Sequence, residues 1–156
     1  MAAHDAPPGH RALRIGRVSL IDHVYHVTTS TLHRQALFAD SRAAAAAARA
    51  LTYRPLLGES ELLAWVLMPD HLHMLLRLGG GDTLDGLVGR VKAATARCVN
   101  REIGRTGPVW QRAYHDHGLR REEDLVTTAR YIVANPLRAG LVRRIGDYPY
   151  WNAVWL

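Results

Sequence analysis

Two apolar runs of strand length, ELLAWVLM at residues 61–68 and HLHMLLRL at residues 71–78, are separated only by Pro69-Asp70. Proline presets φ for a tight turn and aspartate bonds its own backbone nearby, so the pair predicts an antiparallel hairpin mid-chain. A lone hairpin is barely stable in water and needs further strands or helices against its faces. Helical segments flank it on both sides. Ser41, as N-cap, precedes RAAAAAARAL, and alanine is the best helix former, so a helix runs to about Tyr53 before Pro55 and Gly58 end it. The alanines read as a close-packing face. After Gly79-Gly80-Gly81, a longer helix starts at Asp82 or Thr83 and runs to about Ile103. Leu84, Leu87, Val88, Val91, Ala94 and Cys98 fall near helical spacing, and Gly104 and Gly107-Pro108 stop it.

Residues 19–31 (SLIDHVYHVTTST) and 109–120 (VWQRAYHDHGLR) supply outer strands, rich in β-branched and aromatic types. Residues 122–135 form an amphipathic helix. Glu122 and Glu123 in its first turn suit the helix dipole better than catalysis. Pro136 biases that helix to end at Asn135, a kinked continuation being the other outcome. The order is β-α-β-β-α-β-α. Its first six elements match a ferredoxin-like β-α-β-β-α-β sandwich of the α+β class, an antiparallel sheet with helices on one face. The seventh element, an added C-terminal helix, needs a reason. Residues 1–16 read as a flexible basic leader broken by Pro7, Pro8 and Gly9, with Arg14 and Arg17 as a candidate DNA-binding arm. Residues 17–142 form the single domain, and residues 143–156 an aromatic tail without usable periodicity.

Composition narrows the classes. A chain of 156 residues suits one domain. A single cysteine, Cys98, excludes an internal disulfide framework and a multi-cysteine zinc site. No apolar run approaches the ~18 residues that span a bilayer, and the first residues lack a secretory signal, so a cytoplasmic protein is expected. Twenty basic residues against fourteen acids give a net charge of +6, and Lys92 is the only lysine. Such a balance points weakly to nucleic acid, which arginine grips through bidentate phosphate contacts.

His71-Leu72-His73 is the sharpest feature. In a strand, residues i and i+2 share a face, so both imidazoles point one way and Leu72 points into packing. Two readings follow: ligands of one divalent ion, or two incidental members of nine histidines. His115-Asp116-His117 repeats the pattern on the predicted fourth strand. In a ferredoxin-like sheet the first strand separates it from His71, so no joint four-histidine site is expected, and the pair reads as surface or DNA-facing. Tyr131 has Asn135 one helical turn on, then Pro136, a context none of the other tyrosines shares. A phenol there is a half-buried packing group or a nucleophile on phosphorus.

MPDHLHMLLRL resembles the metal-binding segment of the single-tyrosine HUH transposases. VWQRAYHDHGLRREEDLVTTARYIVANPLRAGLV is similar to the tyrosine region of one branch, the REP-associated tyrosine transposases. YHVTTSTLHRQALF and DYPYWNAVWL resemble the ends of that branch, so the likeness spans about residues 17–155. Thr29-Ser30-Thr31 departs from the Arg-containing stretch of many relatives, and no DNA contact is carried over there.

The resemblance implies a ferredoxin-like core whose extra helix bears the nucleophile, Tyr131. It implies His71 and His73 as metal ligands, with Asn135 completing the sphere of Mg²⁺ or Mn²⁺. The implied activity is nicking and rejoining of single-stranded DNA at hairpin-forming repeats or insertion-sequence ends, through a 5′-phosphotyrosine intermediate. Lys92 and Arg138 are further candidate DNA contacts. Related enzymes act as dimers, and the tail leaves monomer or homodimer open. The rivals are a non-cleaving regulator that binds hairpin DNA or RNA, and a metal-dependent phosphoesterase that uses water.

Overall fold

The computed structural model describes residues 22–156. Arg14, Arg17, the expected leader and the start of the expected first strand lie outside them. The predicted hairpin is present: β2 (Glu61–Leu67) and β3 (His71–Arg77) pair antiparallel, and the Met68 N–H donates to the His71 carbonyl at 2.8 Å across Pro69-Asp70. β1 (Val24–Ser30) lies on the other side of β3, and β4 (His115–Leu119) lies outside β1. The sheet order is β4-β1-β3-β2-β5, with every neighbouring pair antiparallel. The first four strands give the ferredoxin-like order. β5 (Trp151–Ala153) extends the sheet at the edge of β2, so part of the aromatic tail is a strand. Tyr148 fastens the tail further by donating its hydroxyl to the Leu67 carbonyl.

Two helices cover one face. α1 (Ser41–Leu51) is capped by Asp40, one residue before the expected Ser41, through a 2.8 Å bond from the Arg42 N–H. Its Ala43, Ala44, Ala46 and Ala47 are buried, which lets it pack closely on α2 (Leu84–Ile103). Thr83 caps α2 at its start and Gly104, at φ 65°, ends it in the left-handed region. Under these helices lie Tyr25 and Val27 of β1 and Leu72, Met74 and Leu76 of β3.

The expected fourth strand is shorter than residues 109–120 because Trp110 leaves the ladder for the core. Its indole N–H donates to Thr95 Oγ1 of α2 at 2.9 Å, and its ring lies 5.3 Å from Phe38. Among the described residues a single bridge, to Thr31, ties it to the sheet.

The other face receives α3 (Glu122–Val133), which buries Leu125, Ala129, Ile132 and Val133 against Ala64, Val66 and Leu75. α3 stops at Val133, and the chain restarts as one turn, α4 (Asn135–Arg138). Among the described residues no helix is long and apolar enough to cross a membrane.

Candidate active site

Strand alternation sorts the central residues into two sets. Leu72 is fully buried beneath α1 and α2, while His71 and His73 emerge on the face that α3 partly covers. On β1 the same alternation places His26, Thr28 and Ser30 on that polar face, opposite Tyr25 and Val27. The register sets Thr28 beside His73 and Ser30 beside His71.

Each of the two imidazoles is held through Nδ1. His71 Nδ1 lies 2.7 Å from Asp70 Oδ1, and a carboxylate oxygen accepts, so Nδ1 donates and Nε2 is the nitrogen left for a ligand. Asp70 is itself gripped by Arg34 Nε at 3.3 Å, and Arg34 donates to Ser30 Oγ at 2.8 Å. His33 and Arg34 both sit at positive φ, 57° and 55°, a costly backbone for two consecutive non-glycine residues. His73 Nδ1 lies 3.0 Å from His26 Nε2 and 3.0 Å from Thr28 Oγ1. When Nδ1 donates in this pair of bonds, His73 Nε2 is a free lone pair.

Burial, then the neighbouring His26, His71 and Arg138, push the His73 pKa down to about 3. Burial, then His117, push His26 down to about 4. Both rings are therefore neutral at physiological pH, the form that binds metal. The His71 and His73 centroids are 5.0 Å apart at an interplanar angle of 82°. Two imidazoles bound to one ion through bonds of about 2 Å have centroids this far apart when the ligand angle is near a right angle. The donor set thus fits a divalent cation. Among the described residues no cluster of three His, Cys, Asp or Glu side chains could hold a metal, so further ligands would come from other groups.

Tyr131 projects from α3 with 57% of its surface exposed. At 100° per residue, Tyr131, Asn135 and Arg138 line one flank of the α3–α4 segment, turned away from the Leu125, Ala129, Ile132 and Val133 stripe that packs on the sheet. Arg138 Cζ lies 3.8 Å from the Tyr131 ring centroid, and its charge is felt at His73.

Asn135 is partly committed. Pro136 has no N–H, so the Ile132 carbonyl four residues back loses its helical partner, and Asn135 Nδ2 donates to it at 3.0 Å. Asn135 Oδ1 is left as an acceptor for a ligand.

The remaining expected site residues are elsewhere. Lys92 on α2, on the opposite side of the sheet, donates to the carbonyls of Gln111 and Arg112. His115 and His117 are exposed on edge strand β4, with β1 between them and β3. His117 is the register partner of His26, and His26 Nε2 reaches diagonally to His73 Nδ1 on β3. Sequence reasoning missed His26, Thr28 and the carboxylate role of Asp70. The alternation of HVYHVTTS held the signal for His26 and Thr28.

Comparison with known proteins places this geometry. A family model described as "Transposase IS200 like" matches residues 19–135. The REP-associated tyrosine transposase of Escherichia coli K12 is 31% identical over 94 residues, which are 58% of this chain and 52% of that protein. A Haemophilus influenzae protein assigned to the same transposase group is 30% identical over 100 residues, 58% of this chain and 57% of its own. The chain thus spans little more than half the length of these curated relatives. A solved REP-associated tyrosine transposase bound to a REP hairpin superposes with a TM-score of 0.66 at 22% identity, covering 86% of this chain and 79% of its own. A Deinococcus radiodurans chain assigned as a transposase gives a TM-score of 0.52 at 24% identity, covering 75% of this chain and 93% of its own. These two likenesses concern the fold. The family match extends over well more than half of the residues, from the first strand to Asn135, and on that ground the chain belongs to the IS200-like transposase family.

Proposed function

We propose that the protein nicks and rejoins single-stranded DNA at hairpin-forming repeats, with Tyr131 as nucleophile and His71, His73 and Asn135 as ligands of Mg²⁺ or Mn²⁺. The observation that carries this reading is the pair of histidines, each anchored at Nδ1, on the face partly covered by the helix that bears Tyr131. A bound ion would polarise the scissile phosphate and offset developing charge. Mn²⁺ suits imidazole better than Mg²⁺, which prefers oxygen ligands.

The chain's own groups do the rest. Asp70, Thr28 and His26 aim the two imidazoles. Tyr131 Oη loses its proton and bonds to phosphorus. The P–O3′ bond breaks, and the departing 3′ oxygen takes up a proton, leaving a 5′-phosphotyrosine. A second 3′-hydroxyl reverses the step and releases the tyrosine, so strands are rejoined without ATP. The solved relative that holds a REP hairpin, together with this chain's net charge of +6, supports hairpin DNA as the partner. The reading places the protein in the cytoplasm, as a monomer or homodimer.

Tyr131→Phe tests it, because phenylalanine keeps the ring and removes only the oxygen. Wild-type protein with labelled single-stranded hairpin DNA is expected to give a denaturation-resistant complex whose label maps to Tyr131. The variant is expected to bind the DNA and form no adduct. Cleavage that survives in Tyr131→Phe would transfer the chemistry to water and overturn the proposal.

A further inference from the structure

Tyr131 stands on an exposed flank, where a tyrosine ring would ordinarily exchange rotamers freely. Here two contacts from one residue restrain it. Arg138 Nη2 donates to the Tyr131 carbonyl at 2.7 Å, and the guanidinium carbon lies 3.8 Å from the Tyr131 ring centroid. One side chain thus holds both the backbone and the ring of the same residue, seven positions earlier.

The local sequence explains how. Pro136 ends the hydrogen-bond ladder of α3, and Asn135 fills the carbonyl it orphans. The chain then makes one further turn, with the Arg138 N–H bonded to the Ala134 carbonyl at 3.1 Å. Arg138 therefore lies two turns beyond Tyr131 on the same flank and reaches back along the helix. The planar guanidinium suits both contacts: it stacks on an aromatic face while its edge N–H groups stay free to donate. A lysine ammonium could lie over the ring but has no planar fork.

We infer that Arg138 is a positioning residue for Tyr131, holding its ring in one orientation on the flank of α3. This rests on the proposal that Tyr131 is the nucleophile. It differs from a DNA-contact role for Arg138, which would act on binding. A misoriented nucleophile loses rate even when the substrate is bound normally, because reaction needs the attacking atom aligned with phosphorus.

The test uses the full chain with Arg138→Ala, Arg138→Gln and Arg138→Lys. Two quantities are read with a labelled single-stranded hairpin: the dissociation constant, and the single-turnover rate of adduct formation at saturating DNA. A third needs no DNA: the rate at which tetranitromethane nitrates Tyr131, mapped by peptide mass. Arg138→Ala is expected to slow adduct formation about tenfold, the scale of one lost hydrogen bond from a charged donor. The dissociation constant is expected to stay within about twofold, as for an exposed substitution. Nitration of Tyr131 should rise because the ring face is uncovered. Arg138→Lys should restore part of the rate and Arg138→Gln less. Weaker binding with an unchanged saturated rate would make Arg138 a DNA contact and overturn the inference. Unchanged nitration in Arg138→Ala would overturn it as well. If wild-type protein forms no adduct, the nucleophile reading fails, and nitration alone decides whether Arg138 restrains the ring.

Discussion

His71-Leu72-His73 and His115-Asp116-His117 share a spacing, a sheet and a face, yet their surroundings differ at every level. β3 is bonded on both edges, to β1 and β2, whereas β4 is the outer strand with one partner. Leu72 drives its strand into the core under α1 and α2, which leaves its two histidines half-buried beside α3. The β4 histidines remain exposed. At β3, neighbours supply a bond to each Nδ1: Asp70 for His71, Thr28 and His26 for His73. Spacing makes two imidazoles share a face. Their neighbours decide which ring nitrogen is engaged.

The largest effect should separate the two segments outright. His71→Ala or His73→Ala is expected to abolish cleavage with Mg²⁺ or Mn²⁺ while hairpin binding and circular dichroism stay near wild type. His115→Ala should change the cleavage rate by less than about threefold, as expected of an exposed side chain on an edge strand. Equal losses at both segments would erase the distinction.

A smaller effect probes the groups that aim the rings. His26→Ala, Thr28→Val and Asp70→Asn should each weaken Mn²⁺ binding by about 10–100-fold, the range for lost partners of metal-bound histidines. Calorimetry or Mn²⁺ spin resonance on the protein without DNA reads this directly. His115→Ala is the comparison. A loss there matching that of His26→Ala would mean that the edge pair also serves the ion.

The smallest effect concerns how the end of β3 is fastened. The Gly79 N–H donates to Ser60 Oγ, Ser60 donates to Asp82, and Arg90 forks onto both Asp82 oxygens at 2.7 and 2.8 Å. Hydrogen bonds from Arg90, above all, hold the Asp82 carboxyl below its ordinary pKa. A group depressed in the folded state contributes stability above its unfolded pKa of about 3.9 and loses it as pH falls through the folded value. Asp82→Asn should therefore cost up to about 1 kcal/mol at neutral pH, in the range of solvent-accessible pairs. The difference in urea midpoint should shrink as pH falls through the folded value and the wild-type carboxyl takes up its proton. A difference that persists in acid would assign the effect to packing instead.

Much of this was legible because its causes are local. Apolar runs around Pro69-Asp70 specify a hairpin through turn chemistry, and period-two alternation puts His71 and His73 on one face whatever surrounds them. The helical repeat similarly put Tyr131 and Asn135 on one flank. The aromatic tail was not legible, since a three-residue strand carries almost no periodicity and β5 exists only through pairing with β2. His26 was missed for a related reason. Its bond to His73 joins residues 47 apart and depends on the β1–β3 register, which no local pattern reports.

The sequence by itself determined the order of elements, the polar face of each strand and the residue types available for chemistry, because side-chain alternation and helical repeat are properties of the backbone alone. Only the tertiary structure decided which histidine pair is half-buried on a central strand, which nitrogen of His71 and His73 is engaged, and that Arg138 lies on Tyr131. Those outcomes depend on distances between segments, and such distances are set by how strands pair and helices pack.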